Sequence, residues 1–264
     1  MEKRITSLQN PEVKRVVALT EKVRDRREQN RFVVEGVREI SLAQQSGYTI
    51  ETIFLCPELY KPETDYPINL TRGNLVEVSV EVYNKMAYRA NDGGVLGLAE
   101  QKAHRLDDLL LPNEPLILVL ESLEKPGNLG AILRTCDAAG VDAVLICDGK
   151  TDIYNPNAIR SGVGCLFTNQ IAVCSTEEAI SWLKQNGISI FTTNLTASQG
   201  YHQVNYKKAS AIVMGSEAWG VSKAWIDAAT TCIKIPMRGR IDSMNVSTSA
   251  AILVYEAKRQ RGFN

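Results

Sequence analysis

The second half of the chain is built from short apolar runs that alternate with helix-like segments. From residue 116 onward, runs such as LILVLE, DAVLICDG and AIVMGSE are apolar at nearly every position. Strands of this kind are buried on both faces, which is the environment of a parallel sheet covered by helices. Strands that alternate with helices favour the same architecture. The sequence therefore predicts an α/β fold with a parallel sheet over residues 116–264.

The first hundred residues predict a smaller α/β unit. Residues 1–31 are rich in charge and predict a helix with Asn10-Pro11 as its start signal, followed by the strand RFVVEG, a helix and the strand IETIFLC. Residues 101–115 are charged, contain prolines and show no clear period, so we expect a linker there. The predicted organisation is a small α/β domain over 1–100, a linker over 101–115 and a larger domain over 116–264.

Composition excludes several classes of protein. With 44% hydrophobic and 23% charged residues, the chain is typical of a globular protein. No apolar run approaches the length of a membrane span, and the first residues lack the apolar core of a signal peptide, so we expect a cytoplasmic protein without membrane contact. Six cysteines stand singly, which predicts buried thiols. His104 and His202 have no Cys, Asp or Glu partner at motif spacing, so neither a histidine triad nor a metal site is expected.

The charge is balanced overall but unevenly distributed. Thirty basic and thirty acidic residues cancel. The basic residues are in excess over residues 1–31 and again over 234–264. Two basic ends predict contacts with phosphate groups, and solvated helix faces are the alternative explanation.

Ligands of open parallel sheets bind outside the carboxyl ends of the strands. That rule selects four loops, at residues 121–128, 193–196, 215–220 and 237–245. A dinucleotide site requires G-x-G-x-x-G after the first strand, but ESLEKPGNLGAI carries Gly127 and Gly130 at the wrong spacing. The pattern G-x-x-x-x-G-K-[ST] is absent as well. The sequence therefore argues against NAD and P-loop nucleotide binding.

Three polar residues at these loops are candidate functional groups. Arg134 has small and apolar neighbours, so its guanidinium either pairs with Glu121 or Asp137, or is directed at a phosphate or hydroxyl group of a ligand. Asn128 is placed to cap the same helix. Glu217 ends an apolar strand, where it either orients a ligand or caps the following helix.

The last predicted helix begins at Val246 and follows the polar triplet Ser243-Met244-Asn245. Ser243 or Asn245 is suited to cap it. Capping alone leaves the small residues of the first turns, SerThrSerAlaAla over 247–251, unexplained.

Three segments carry a family resemblance: EKPGNLGAILRTCDAAGVDAVLI, IVMGSEAWGVS and IPMRGRIDSMNVSTSAAILVYEA. In order, spacing and strand–loop context they resemble the three motifs of the SpoU (TrmH-type) RNA 2'-O-ribose methyltransferases of the SPOUT superfamily. The segment FVVEGVREISLAQQSG, with the strand IETIFLC after it, is similar to the small substrate-binding domain that precedes the catalytic domain in many members. The resemblance thus covers nearly the whole chain.

The resemblance implies a parallel sheet with a C-terminal trefoil knot, an exception to the rule against knots. It implies a homodimer, with S-adenosylmethionine held in the knot largely by backbone groups. The implied cofactor-binding residues are Asn194, Leu195, Gly215, Ile235, Met237 and Met244. The implied catalytic residues are Arg134, Asn128, Glu217, Ser243 and Asn245. Arg134 matches the family's arginine that activates the ribose 2'-hydroxyl, and Arg160 falls where members contact RNA.

Two positions depart from the family pattern. Met244 stands where leucine is usual and conserves volume. Ala218 stands where glycine is usual and fits only if its φ is negative.

The resulting hypothesis is an S-adenosylmethionine-dependent RNA 2'-O-methyltransferase acting on ribosomal RNA. A tRNA substrate is the alternative within the class, and a non-catalytic RNA-binding protein is the alternative outside it. Since arginine is a very weak base, we expect Arg134 to align the hydroxyl and to act with an RNA phosphate.

Overall fold

The computed structural model describes residues 3–71, 73–89, 93–197 and 199–263. The described chain forms two compact units. The first comprises residues up to Ala103 together with Asp152–Thr168. The second comprises His104–Thr151 and the residues from Asn169 onward.

The strands, in chain order, are β1 (Lys3–Ile5), β2 (Arg31–Glu35), β3 (Ile50–Leu55), β4 (Asn74–Val78), β5 (Val95–Glu100), β6 (Leu116–Glu121), β7 (Ala143–Cys147), β8 (Ile171–Cys174), β9 (Ser189–Thr193), β10 (Gln199–Gly200), β11 (Ser210–Met214) and β12 (Thr231–Lys234). The helices are α1 (Pro11–Glu21), α2 (Val23–Gln29), α3 (Val37–Gln45), α4 (Val80–Met86), α5 (Pro126–Ala139), α6 (Pro156–Ser161), α7 (Cys165–Thr168), α8 (Thr176–Gln185), α9 (Lys223–Ala228) and α10 (Val246–Gln260).

The first unit contains a mixed sheet in the order β1-β4-β3-β5-β2. β4 runs parallel to both β1 and β3, whereas β5 is antiparallel to β3 and β2. The apolar faces of α1 and α4 pack on this sheet in one continuous core. This agrees with the small α/β unit predicted from the sequence.

The charged helix predicted over residues 1–31 is only partly correct. β1 precedes it, and Asn10 caps α1 as predicted, with its side-chain oxygen accepting from the backbone N–H of Glu12 at 2.8 Å. Lys22 then adopts an extended conformation, with φ −117° and ψ 118°, and separates α1 from α2. The single predicted helix is therefore two helices joined at one residue.

Arg26 explains why the chain turns there. Its Nη1 donates to the carbonyl oxygens of Leu19 and Thr20 at 2.7 and 3.1 Å, which satisfies the end of α1. Its Nε donates to the carboxylate of Asp152 at 2.5 Å, and the side chain is only 2% exposed. In the second unit, Lys258 is also buried and donates to a backbone carbonyl. Neither of these two residues can serve as the exposed phosphate contact that the basic ends suggested.

The segment 152–168 lies in the first unit because its aromatic side chains pack there. The rings of Tyr154 and Phe167 lie 4.2 and 6.1 Å from the ring of Phe32. The Tyr154 hydroxyl accepts from the backbone N–H of Lys102 at 2.8 Å. The sequence-based boundaries place this segment in the larger domain, whereas its packing joins it to the first unit. The chain thus leaves the second unit after β7 and returns to it before β8.

The predicted linker over residues 101–115 is in part a packed segment of the second unit. Leu106, Leu109 and Leu111 pack against the core of that unit. The carbonyl of His104 accepts from the backbone N–H of Val173, which lies in β8. The sequence did not predict this packing, because the leucines of the segment are not spaced at helix or strand periodicity.

The second unit contains a parallel sheet in the order β10-β12-β9-β11-β6-β7-β8. Every paired strand in this sheet is parallel, as the continuous apolar runs predicted. β6, β7 and β11 are buried along their whole length. The helices α8 and α9 pack on one face of the sheet. The helices α5 and α10 of the same unit pack against each other. The trefoil knot implied by the family resemblance stays a prediction.

The cysteines of the described residues are all free thiols, and four of the six are buried. Cys147 and Cys174 are register partners at the ends of β7 and β8, with their sulfur atoms 3.9 Å apart. None of the helices in the described part of the chain combines the length and apolar character needed to cross a membrane.

Candidate active site

Three segments that are distant in sequence converge on the carboxylate of Glu217. The Nδ2 of Asn128 donates to Oε1 of Glu217 at 2.5 Å. The Nδ2 of Asn245 donates to the same oxygen at 3.3 Å and to Oδ1 of Asn128 at 3.2 Å. The ammonium group of Lys125 forms an ion pair with Oε2 of Glu217. These four residues are called the Glu217 cluster below.

The topology of the second sheet places the cluster at its carboxyl edge. Glu217 follows β11, and Asn128 lies in the first turn of α5, just after β6. β11 and β6 are neighbouring parallel strands, so their carboxyl ends meet. Asn245 directly precedes α10, which packs against α5. The cluster therefore lies where parallel α/β sheets bind their ligands.

Glu217 is ionised in this arrangement. The hydrogen-bonded ammonium of Lys125 is the largest influence that holds the pKa of the Glu217 carboxyl below its usual range. The amide of Asn128 and the backbone N–H of Val246 also donate to the carboxylate and lower the pKa further. Partial burial acts in the opposite direction and does not outweigh the donors. The cluster is thus a fixed negative charge surrounded by donors.

The side chain of Asn245 links the cluster to α10. Its Oδ1 accepts from the backbone N–H and the hydroxyl of Ser247 at 2.9 and 2.5 Å, which caps the helix as predicted. A backbone N–H can only donate, so this bond fixes the amide orientation and turns Nδ2 towards Glu217. Ser243 is not part of this network. Its hydroxyl donates to the carboxylate of Asp242 at 3.1 Å, and no hydrogen bond joins it to the cluster in the described residues.

Two capping explanations from the sequence are wrong. Lys125 occupies the N-cap position of α5, and Asn128 lies inside the helix with its amide on Glu217. Ser222 occupies the N-cap position of α9, so Glu217 does not cap that helix. A cation at a helix N-terminus opposes the helix dipole, so Lys125 is better explained by its carboxylate partner than by the helix. A lysine at the start of a predicted helix is unfavourable, and this feature of the sequence could have indicated that Lys125 has an acidic partner.

Arg134 lies on α5 but outside the cluster. It is six residues beyond Asn128, a rise of about 9 Å along an α-helix. Its side chain is exposed, and no hydrogen bond or ion pair involves it in the part of the chain that is described. The ion pair with Glu121 considered from the sequence is not formed, since that buried carboxylate accepts from the Thr176 hydroxyl at 3.2 Å and the Ser222 N–H at 2.7 Å. Arg134 is available to a ligand.

The six predicted cofactor-binding residues lie on loops at the carboxyl ends of β9, β11 and β12. These three strands are neighbours in the sheet, so the loops that follow them emerge side by side. The residues are Asn194, Leu195, Gly215, Ile235, Met237 and Met244. Their role as cofactor ligands stays a prediction.

The loop after β12 fits a ligand held by backbone groups. Among the described residues, no backbone–backbone hydrogen bond involves residues 235–244. Unpaired backbone groups need water or a ligand as partner. Leu195 is 62% exposed, and Met237 and Met244 are half-buried, which provides apolar surface beside these groups. Apolar lining with a few fixed polar groups suits a small-molecule cofactor such as S-adenosylmethionine.

The loop after β11 is closed tightly on itself. The backbones of Ser216 and Gly220 exchange two hydrogen bonds of 3.0 Å. A Cβ on Gly215 would lie 1.9 Å from the Gly220 carbonyl oxygen, so glycine is required there by the chain itself. Gly220 has a φ of +68°, which favours glycine as well. Ala218, the departure from the family pattern, has a negative φ and is accommodated without strain.

Arg160, the other predicted RNA contact, lies on α6 in the first unit. Its guanidinium is 3.8 Å from the carboxylate of Glu35, which also accepts from the backbone N–H groups of Tyr88 and Arg89. Arg160 thus has a structural partner, and its contact with RNA stays a prediction. Across the described residues, no three His, Cys, Asp or Glu side chains are grouped so as to hold a metal ion.

Comparisons with known proteins match both units. The family described as "SpoU rRNA Methylase family" matches residues 115–255, and "MRM3-like substrate binding domain" matches residues 10–97. The first of these matches spans more than half of the chain. The chain belongs to the SpoU rRNA methylase family.

Individual relatives agree with this assignment. The chain is 29% identical over 260 residues to the Bacillus subtilis 23S rRNA (guanosine(2553)-2'-O)-methyltransferase RlmP, covering 97% of this chain and 99% of that protein. It is 36% identical over 164 residues to a Thermus thermophilus tRNA (guanosine(18)-2'-O)-methyltransferase, covering 61% of this chain and 84% of that protein. The crystal structure of an AdoMet-bound rRNA methyltransferase from Sinorhizobium meliloti is similar with a TM-score of 0.88 and 33% identity over 97% of each chain.

Proposed function

We propose that this chain transfers a methyl group from S-adenosylmethionine to a ribose 2'-hydroxyl of ribosomal RNA. The reaction class follows from its membership of the SpoU family. The observation that carries the assignment to this site is the Glu217 cluster, which joins residues from all three sequence motifs at the carboxyl edge of the sheet.

Ribosomal RNA is favoured as substrate by the extent of the similarity. A relative that aligns over 97% of the chain is named for a 23S rRNA target. The first unit matches a substrate-binding domain, which supports an RNA that requires contacts beyond the catalytic unit. Transfer RNA is the second candidate, because a relative aligned over 61% of the chain is named for a tRNA target.

The cofactor would be held by the loops after β9, β11 and β12, through Asn194, Leu195, Gly215, Ile235, Met237 and Met244. When bound, it supplies an electrophilic methyl group on a sulfonium. Exposed apolar side chains such as Leu195 suit its adenine ring, and unpaired backbone groups of 235–244 suit its polar atoms. Holding the donor in one orientation lowers the entropic part of the barrier.

The Glu217 cluster would orient the reacting groups. Glu217 fixes the amides of Asn128 and Asn245, and the amide of Asn128 keeps a second Nδ2–H that can donate to the ribose. Ser243, exposed on the loop after β12, would add a hydroxyl next to them. Since the Glu217 carboxylate is occupied by donors, its role is positioning and electrostatic rather than proton transfer.

Arg134 would align the 2'-hydroxyl together with an RNA phosphate. Its guanidinium is exposed and permanently charged, and its planar donors suit a phosphate. A phosphate oxygen held there can accept a hydrogen bond from the 2'-hydroxyl and orient it, and the proton passes to solvent as the oxygen–methyl bond forms and the sulfur–methyl bond breaks. We further infer that the protein is a homodimer, as the resemblance to the SpoU family implies, and that it works in the cytoplasm, because its relatives include bacterial RNA-modifying enzymes.

The test is transfer of labelled methyl groups to separate RNA pools. The purified protein is incubated with radiolabelled S-adenosylmethionine and either ribosomal RNA or tRNA lacking the modification. We expect label in ribosomal RNA, and loss of label with Arg134→Ala. Label confined to tRNA would establish the second candidate, and no label in either pool would refute the proposed activity.

A further inference from the structure

Trp219 is an exposed aromatic residue beside the Glu217 cluster. The chain has three tryptophans, of which Trp225 is fully buried and Trp182 packs partly into the core. Trp219 is 83% exposed. Isolated exposed apolar side chains are common on proteins, so exposure alone indicates no function. What distinguishes Trp219 is its position two residues after Glu217.

The backbone that carries the ring is fixed. The N–H of Trp219 donates to the hydroxyl of Ser216 at 3.1 Å, inside the loop that Ser216 and Gly220 close with two hydrogen bonds. Behind it, the backbones of Gly215 and Gly220 are in close contact. The indole therefore stands on a tight loop, and little backbone entropy is lost when a ligand packs on it.

The position of the ring limits what can pack there. Two residues of chain span at most about 7 Å, so the Cα that carries the indole lies within about 7 Å of the Cα of Glu217. In the proposed reaction a ribose is brought to this cluster, and a base that leaves the RNA stack there would meet the loop that carries the indole. Proteins hold unstacked bases on aromatic side chains. The exposed Arg134 in the same unit supplies positive charge for the phosphates.

We propose that Trp219 stacks on the base of the nucleotide whose ribose is methylated. This inference rests on the proposed function and adds to it the group that receives the target base. Stacking is insensitive to which base is present, because every base has a flat π-face. Trp219 thus contributes affinity for an unstacked nucleotide without selecting among the four bases.

The experiment uses the protein with S-adenosylmethionine and a short RNA that contains the methylated nucleotide, which is first located by mass spectrometry of fragments of the labelled RNA. Trp219→Ala is expected to raise the KM for this RNA by about 5- to 150-fold, the range measured for loss of one stacked base. The KM for S-adenosylmethionine is expected to stay within about twofold. Trp219→Phe keeps an aromatic face and should restore most of the affinity, whereas Trp219→Leu keeps only apolar bulk and should not.

A second RNA with an abasic site at the target ribose completes the test. The unmodified protein should lose about as much affinity for the abasic RNA as Trp219→Ala loses for the normal RNA. Trp219→Ala should not distinguish the two RNAs, because the interaction has already been removed. RNA binding should also quench tryptophan fluorescence in the unmodified protein and not in Trp219→Phe.

Three results would overturn the stacking role while leaving the proposed function intact. These are an unchanged KM for RNA in Trp219→Ala, equal sensitivity of both proteins to the abasic site, and a shift of Trp219→Ala to a smaller species in sedimentation. The last would identify Trp219 as a contact between copies of the chain. Inactivity of the unmodified protein towards every RNA would instead refute the proposed function.

Discussion

Replacing Glu217 with glutamine removes the negative charge of the cluster and preserves its shape. The amides of Asn128 and Asn245 donate to Oε1 at 2.5 and 3.3 Å. A hydrogen bond to a charged group contributes about 1.5–3 kcal/mol, and one between neutral groups about 1 kcal/mol. Neutralising the acceptor therefore costs about 1 kcal/mol per bond, or about 2 kcal/mol for the two. If the cluster positions the reacting groups, Glu217→Gln should lower kcat/KM about 30-fold.

The assay is the initial rate of methyl transfer, with RNA and S-adenosylmethionine varied separately. Lys125→Met is the matched control, because it removes the ion-pair partner of Glu217 and leaves both amide contacts in place. An exposed ion pair contributes about 0–1 kcal/mol, so this variant should lose less than about fivefold. Equal losses in the two variants would contradict the reasoning, as would a normal rate in a correctly folded Glu217→Gln protein.

The pH dependence follows from the lowered pKa of Glu217. A carboxyl whose pKa is lower in the folded state contributes its full stabilisation above the ordinary value of 4.5, and this contribution is lost as the pH falls through the lowered value. The cluster should thus remain ionised at all pH values above about 5. We expect the pH–rate profiles of the unmodified protein and Glu217→Gln to be parallel above that pH. An acidic limb above pH 5 that disappears in Glu217→Gln would contradict an ionised cluster.

Three further predictions test other parts of the account. Arg134→Lys keeps the charge but loses the planar donors, and should lose at least about tenfold in turnover with an unchanged melting temperature; near-normal turnover would refute alignment by the guanidinium. Gly215→Ala places a methyl group 1.9 Å from a carbonyl oxygen and should abolish activity and lower the melting temperature, whereas Gly239→Ala, with no atom within 4 Å, should leave the melting temperature unchanged; equal melting temperatures would show that the loop is not closed. Arg26→Ala leaves Asp152 without its buried partner and should cost about 3–5 kcal/mol in urea unfolding; a loss below about 1 kcal/mol would show that the pair is not structural.

The parallel sheet could be predicted because strands that are buried on both faces are apolar at nearly every position of the sequence. Each strand of the second unit corresponds to an apolar run, except the two-residue β10, which is too short to leave a pattern. The division of the chain could not be predicted in the same way. Residues 152–168 pack in the first unit because the rings of Tyr154 and Phe167 contact Phe32. Contacts between residues so distant in sequence cannot be predicted from the local sequence pattern.

The candidate site could also be predicted only in part from the sequence. Asn128, Glu217 and Asn245 could be selected by motif resemblance, and the structure brings them together. The helix-capping roles predicted for Asn128 and Glu217 were wrong, because local sequence propensities contain no information about a hydrogen-bond partner on another loop. Lys125 was missed for that reason. Asn245 was correctly assigned as a cap, and its second role became visible only with its amide orientation.

The most direct test of the account is the position of the transferred methyl group. Ribosomal RNA modified by the protein is digested to nucleosides, which are then separated and identified by mass spectrometry. If the proposed reaction is correct, one 2'-O-methylated nucleoside should be formed by the wild-type protein, and its yield should be lower with Glu217→Gln. A methyl group on a base, or a 2'-O-methyl yield that is unaffected by Glu217→Gln, would contradict it.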